Sequence, residues 1–196
     1  MWTRIGKGLS STVYQRGPII KKVTDLENAR YEVPALLRLK KTGFVPKLIG
    51  FRKRGSLMNI FTEAFPGPVI SLYDYLKTRQ MTRSLYDAIE RKVQILHGLG
   101  VSQGDLHGDN IMIDPRTRKI YIIDFGKSIM WGRAKTERGA FYGLPEARPH
   151  NNVMTYGPVR SRMNLEMLKL LRSIVTNGKS GKKSYKQKAP MYVSRV

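Results

Sequence analysis

Cysteine is absent from the 196 residues, which excludes disulfides and thiolate zinc sites and leaves the redox compartment open. Long apolar runs are absent too. None approaches the ~18 residues that a membrane-spanning helix needs, so no membrane span is expected. The start, MWTRIGKG, lacks the apolar core of a secretory signal, and an intracellular protein, cytoplasmic or nuclear, is expected. Acidic residues are scarce: 14 Asp and Glu stand against 36 Lys and Arg, for a net charge of +22. The scarcity deepens along the chain. Residues 1–124 hold 21 basic and 11 acidic residues, and residues 125–196 hold 15 and 3. A field of this sign favours nucleic acid or another polyanion as a partner; a plain solubility feature is the competing reading. No internal repeat is present. What remains is long enough for one compact domain, or two small lobes, with a real core.

The chemistry concentrates in residues 101–126, VSQGDLHGDNIMIDPRTRKIYIIDFG. Two short apolar runs, 111–113 and 119–123, flank a polar turn at Asp114, Pro115 and Arg116, which is the pattern of a hairpin. A hairpin brings its ends together, so Asp105 and Asn110 on one side approach Asp124 on the other. Two carboxylates and an amide in one small volume are costly without a cation, and oxygen ligands suit Mg²⁺.

Earlier in the chain, IGKGLSSTVY at 5–14 reads as strand, glycine turn, strand. Gly6 and Gly8 would let the backbone approach a phosphate, although such a turn also serves as a mere connection. No Gly-Lys-Ser/Thr follows, so this is not a Walker A loop, and it does not open a helix as a dinucleotide-binding turn would. Gly17 and Pro18 form a hairpin turn. IIKKV at 19–23 is a strand in which alternation turns one lysine inward; two solvated lysines on an edge are the alternative. Asp25 caps a helix reaching about Lys41, with Leu26, Ala29, Val33, Leu36, Leu37 and Leu39 as its apolar stripe. Pro34 is expected to kink or break it.

Residues 47–52 and 57–62 read as two more strands, and EAFPGP at 63–68 as a linker between lobes. A short helix follows at 71–77. A longer one is capped by Thr82 and runs through His97. Residues 127–160 are loop-like, 164–175 form an amphipathic helix, and 177–196 form a basic, mobile tail. His97 and His150 have no ligand spacing and read as structural; Trp2 and Trp131 read as packing residues.

Taken in order, GKGLSSTV, IIKK, a helix carrying Glu, FTEAF, QGDLHGDN and IIDFG resemble the protein-kinase-like superfamily over roughly residues 4–130. The resemblance implies an α+β, two-lobed fold. A small β-rich N-lobe would span 1–63 and a truncated helical C-lobe 64–176, with the tail at 177–196. It also implies ATP and Mg²⁺. Gly6, Gly8 and Val13 would cover the nucleotide, with Ser11 in place of the third glycine. Lys21 would contact the α- and β-phosphates, with Lys22 as the second choice. Glu32 would pair with that lysine, and Glu27 is the fallback. Thr62 would line the back of the adenine pocket, while Glu63 and Phe65 offer backbone groups to adenine. Asp105 would orient or deprotonate the acceptor, and Asn110 and Asp124 would hold Mg²⁺.

The departures from the pattern carry information too. Gln103 and Gly104 replace the usual His-Arg, which removes the anchor for a phosphorylated activation loop. His107, a candidate catalytic residue, stands where protein kinases carry a phosphate-contacting lysine. GDLHGDN looks more like aminoglycoside and choline kinases, or the atypical RIO and KEOPS-complex small kinases. A compact viral kinase also fits, and would place the chain in a virion or host cell. Leu144, Pro145 and Glu146 echo the APE motif. The resemblance thus implies an atypical serine/threonine kinase with a protein acceptor. The alternatives are a small-molecule kinase and a basic, nucleic-acid-associated module without catalysis.

Overall fold

The computed structural model describes residues 1–130 and Lys169. The expected helix at 164–175 apart from Lys169, the tail at 177–196, Trp131, His150 and the Leu144, Pro145, Glu146 motif lie outside the described residues.

The first layer is a five-stranded antiparallel sheet built from β1 (Thr3–Lys7), β2 (Ser11–Arg16), β3 (Ile19–Asp25), β4 (Leu48–Arg54) and β5 (Leu57–Glu63), in the order β1-β2-β3-β5-β4. Gly17, at φ 55°, makes the tight turn that lets Arg16 face Ile19; a side chain is disfavoured at that angle. The register of β1 slips between Arg4 and Gly6, a bulge that bends the strand entering the glycine loop.

Helix α1 (Leu26–Leu39) interrupts the strands. Asp25 caps it, its carboxylate accepting from Asn28 N at 2.6 Å, which satisfies one of the orphan amides of the first turn. Pro34 does not break the helix: α1 runs unbroken through it. The missing amide removes one helical bond, but Ala29, Val33, Ala35, Leu36 and Leu39 are buried around it. Burying a large apolar side chain gains about 1.5–3 kcal/mol, so packing outweighs the local loss.

The second layer is mostly helical. It contains β6 (Ile70–Ser71), α2 (Leu72–Thr78), α3 (Arg83–Gly98), β7 (Val101–Ser102), a 3₁₀ turn at Gly108–Asn110, β8 (Ile111–Ile113), β9 (Ile120–Ile122) and β10 (Ile129–Met130). Ser71 caps α2 and Thr82 caps α3, each hydroxyl accepting a backbone N–H three residues on. The predicted hairpin is β8 paired with β9, and β6 joins it on the other side. Asp114 shapes its turn, accepting from the N–H groups of Arg116 and Thr117 and from the Thr117 hydroxyl. The stretch expected to be loop from residue 127 is corrected at its start, because β10 pairs with β7.

One core serves both layers: Leu36, Leu39, Met58 and Ile60 belong to the same buried cluster as Leu72, Ile89, Leu96, Ile111, Ile122 and Phe125. Ile122 N donates to Phe44 O at 2.8 Å, so β9 is bonded directly to the segment between α1 and β4. Among the described residues no helix is long and apolar enough to cross a membrane.

Candidate active site

Strand β3 and helix α1 bring a lysine against a glutamate, and the lysine is not the one first expected. Lys22 Nζ lies 2.7 Å from Glu32 Oε2 and 2.7 Å from Asp124 Oδ1. The contact to Asp124 is an aligned hydrogen bond; the one to Glu32 is an ion contact off hydrogen-bond alignment. Lys21 leaves the opposite face of β3, as alternation requires. Its ammonium lies 4.7 Å from the centre of the Trp2 ring and 4.5 Å from that of Tyr14. The pairing expected of Lys21 with Glu32 is therefore corrected to Lys22. Glu27 is exposed and faces Arg30 at 3.6 Å, which removes it as the fallback.

Three charges share this spot unequally, with Glu32 buried and the Asp124 side chain 43% exposed. Burial pulls the Lys22 ammonium down, but Glu32 and Asp124 outweigh it and hold Lys22 above the ordinary lysine value. Burial pushes Glu32 above the usual carboxylate range; Lys22 opposes that rise and Asp124 adds to it. Burial works to raise Asp124 as well, yet Lys22, the Gly126 N–H and His107 together hold it below its ordinary value. A single ammonium thus serves two carboxylates. The surplus negative charge makes room for a further cation.

Gln103 ties the loop carrying Asp105 to the segment carrying Asp124. It is fully buried. Its Oε1 accepts from Asp105 N at 2.7 Å, and its Nε2 donates to Ile123 O at 3.0 Å and Asp124 O at 2.7 Å. Sequence reasoning treated Gln103 only as a departure from a motif; its capacity to donate and accept at once was the available signal. Asp124 itself sits at φ 58°, a strained conformation for a residue with a side chain, and such strain gathers at functional sites. Gly126 follows, and a Cβ there would lie 3.1 Å from Asn28 Oδ1 and 3.3 Å from Asp124 Oδ1. Only glycine fits between α1 and Asp124 without displacing one of them.

Asn110 is held by the loop that it closes. Its Nδ2 donates to Asp105 O at 2.9 Å and lies 3.0 Å from His107 Nε2. The Asp105 carbonyl fixes the amide, which leaves Asn110 Oδ1 to face a ligand. The contacts of His107 are to Asn110 and Asp109, so it positions the amide. Asp105 Oδ2 instead faces Lys127 Nζ at 3.2 Å, a residue that sequence reasoning missed although it directly follows DFG.

The glycine loop bridges β1 and β2, with Gly8 N donating to Ser11 O at 2.9 Å. A Cβ at Gly6 would approach Val13 no closer than 3.7 Å, and one at Gly8 would lie 3.9 Å from Ser11, so both positions have room. Thr62 is buried on β5. The amides of Glu63 and Ala64 are spent on Lys47 O and Pro18 O. The Glu63 carboxylate pairs with Lys47 at 2.7 Å, and the Phe65 ring stacks on Tyr121 at 4.1 Å between centres. These two side chains line a cavity of about 440 Å³ behind the hinge, with Lys40, Phe44 and Lys92. None of Lys22, Glu32, Asp105 or Asp124 lines it, so it is separate from the charged cluster.

Among the described residues no group of three or more His, Asp or Glu side chains converges as a metal site. The donor set nonetheless fits Mg²⁺ bound with a nucleotide. Such ions take one or two protein oxygens and fill the remaining positions with phosphate and water; Asp124 and Asn110 Oδ1 offer those oxygens beside an excess of negative charge.

A strand-borne lysine paired with a helix glutamate, and a buried amide joining the Asp105 loop to DFG, fit a protein-kinase-like fold. The model of the lipopolysaccharide kinase (Kdo/WaaP) family matches residues 17–139, and the chain belongs to that family. No curated protein matches it. Among solved structures, the kinase PK-1 of the Cydia pomonella granulovirus matches with a TM-score of 0.57 at 15% identity. The match covers 66% of this chain and 54% of that one, so the chain spans about half of the viral kinase and shares its fold.

Proposed function

We propose that this chain is an ATP- and Mg²⁺-dependent phosphotransferase acting on a hydroxyl group. The observation that carries the reading is Lys22 held between Glu32 and Asp124, at 2.7 Å from each. Phosphoryl transfer needs positioning and charge neutralisation more than covalent chemistry from the protein. Lys22 would neutralise the α- and β-phosphates, and Gly6, Gly8, Ser11 and Val13 would cover them. The Glu63 carbonyl and the Phe65 amide would take adenine, since the Glu63 and Ala64 amides are already engaged. Asp124 and Asn110 would hold Mg²⁺, which supplies charge stabilisation to the phosphates when bound. Asp105, fixed through its own amide by Gln103, would orient the acceptor hydroxyl and take its proton.

The family description favours a saccharide hydroxyl as the acceptor. A serine or threonine hydroxyl of a protein is the second reading, favoured by the order of the kinase motifs in the sequence. The test is transfer from γ-labelled ATP to delipidated lipopolysaccharide and to acidic and basic proteins, with wild type and Asp105→Ala side by side. Asp105→Ala is expected to lower transfer about 10²–10⁴-fold while nucleotide binding persists. Equal transfer by the two proteins would remove Asp105 from the mechanism. Label on the saccharide alone selects the first acceptor class, and label on protein alone the second.

A further inference from the structure

We propose that Lys127 supplies the cation facing the transferring phosphoryl group; this rests on the phosphotransferase reading above. Lys127 Nζ lies 3.2 Å from Asp105 Oδ2. The backbone around it is pinned from several sides. Ser128 N donates to Phe125 O at 2.9 Å and Ser128 Oγ to Tyr31 O at 3.2 Å. Ile129 and Met130 then pair with Ser102 and Val101. A rigid backbone therefore delivers a long, adaptable ammonium to the mouth of the catalytic loop. The pair is open to solvent, with the Lys127 side chain 60% and the Asp105 side chain 42% exposed. An ion pair so exposed adds little to stability.

Among the described residues, two other groups near Asp105 already have partners. The position two residues after Asp105 is occupied by His107, whose contacts are to Asn110 and Asp109. The Lys22 ammonium is held by Glu32 and Asp124. In the transfer step the acceptor hydroxyl oxygen bonds to the γ-phosphorus of ATP. The bond from that phosphorus to the β–γ bridging oxygen breaks, and its electron pair leaves with ADP. Asp105 receives the hydroxyl proton. Lys127 keeps its protons throughout and faces the non-bridging oxygens, whose charge a fixed cation stabilises most at the transition state. It touches the reacting group, which makes it a catalytic residue; the lysine reaches Asp105 from the DFG segment instead of from the catalytic loop.

The experiment uses the full chain as wild type, Lys127→Ala and Lys127→Arg. Two quantities are read: turnover of Mg²⁺–ATP with water as acceptor, and affinity for ADP with and without aluminium fluoride, a mimic of the phosphoryl group in flight. Lys127→Ala is expected to lower kcat about 100-fold with KM for ATP within about threefold. It is expected to weaken the ADP–aluminium fluoride complex at least about tenfold, leave ADP affinity and the melting temperature unchanged, and recover partly in Lys127→Arg. Lys127→Ala that matches an active wild type in both readouts overturns the assignment. Equal weakening of ADP alone and of its fluoride complex also overturns it, because the role would then be structural. A wild type that neither binds nor turns over Mg²⁺–ATP overturns the phosphotransferase reading itself, and this assignment with it.

Discussion

Lys21 and Lys22 differ in sequence by one position and in structure by the side of β3 from which they leave. Lys21 lies over the rings of Trp2 and Tyr14, whereas Lys22 meets two carboxylates. Replacing Lys22 with Met strips a buried glutamate of its counter-ion. The expected cost is about 3–5 kcal/mol of stability, the usual result of removing one partner of a buried pair, together with a loss of nucleotide binding. Lys21→Met is expected to leave turnover within about twofold of wild type. Chemical denaturation and a turnover assay on both variants check this; the reverse ranking would return the phosphate role to Lys21. The choice was illegible in the sequence for a physical reason. The two faces of IIKKVT offer Ile20 and Thr24 on one side and Ile19 and Val23 on the other, so neither lysine is marked as the buried one. Glu32 was legible because its helix places it on the same face as Val33, Leu36 and Ala29, all buried.

Among the elements, the loop carrying Asp105 is tied down by one side chain. Gln103 satisfies one N–H and two carbonyls in part-buried surroundings. Gln103→Leu orphans all three. At about 1–3 kcal/mol for each unsatisfied group, a loss of about 3 kcal/mol or more is expected. Gln103→Glu keeps the acceptor for Asp105 N but sets carboxylate oxygens against two carbonyls, and is expected to be as damaging in a melting curve. Equal stability of wild type and Gln103→Leu would mean that the loop and the DFG segment are held together elsewhere. Elements with local signals could be read from sequence: Asp25, Ser71 and Thr82 announce helices through their capping chemistry, and the hairpin through its polar turn. The two-residue strands β6, β7 and β10 could not, because they are specified by the partner each one meets and carry no period of their own.

For the whole molecule, charge is the property least explained by the fold. The described core and site need few of the 36 basic residues, and the excess is greatest after residue 124. Contact with a polyanion, nucleic acid or an anionic saccharide surface, is the proposal that this excess supports. Binding to duplex DNA or RNA measured by fluorescence anisotropy is then expected to fall about 10³–10⁵-fold between 50 and 200 mM salt if about six to ten phosphates are neutralised. Flat salt dependence would assign the charge to solubility. The order of the kinase motifs made the architecture legible at this scale, since each motif sits on the element that the pattern requires. The acceptor was not legible, because phosphoryl donors are gripped by a few fixed groups while acceptors are recognised by whatever surface surrounds them.

Gly6 and Gly8 have space for a methyl group on every side that the chain itself supplies, and neither is at a positive φ. Gly126 has none to spare. Alanine at Gly126 has to be accommodated by Asn28 and Asp124 as the chain folds. Alanine at Gly6 or Gly8 meets nothing in the chain itself, so on the phosphotransferase reading proposed above its cost would be deferred until a nucleotide arrives.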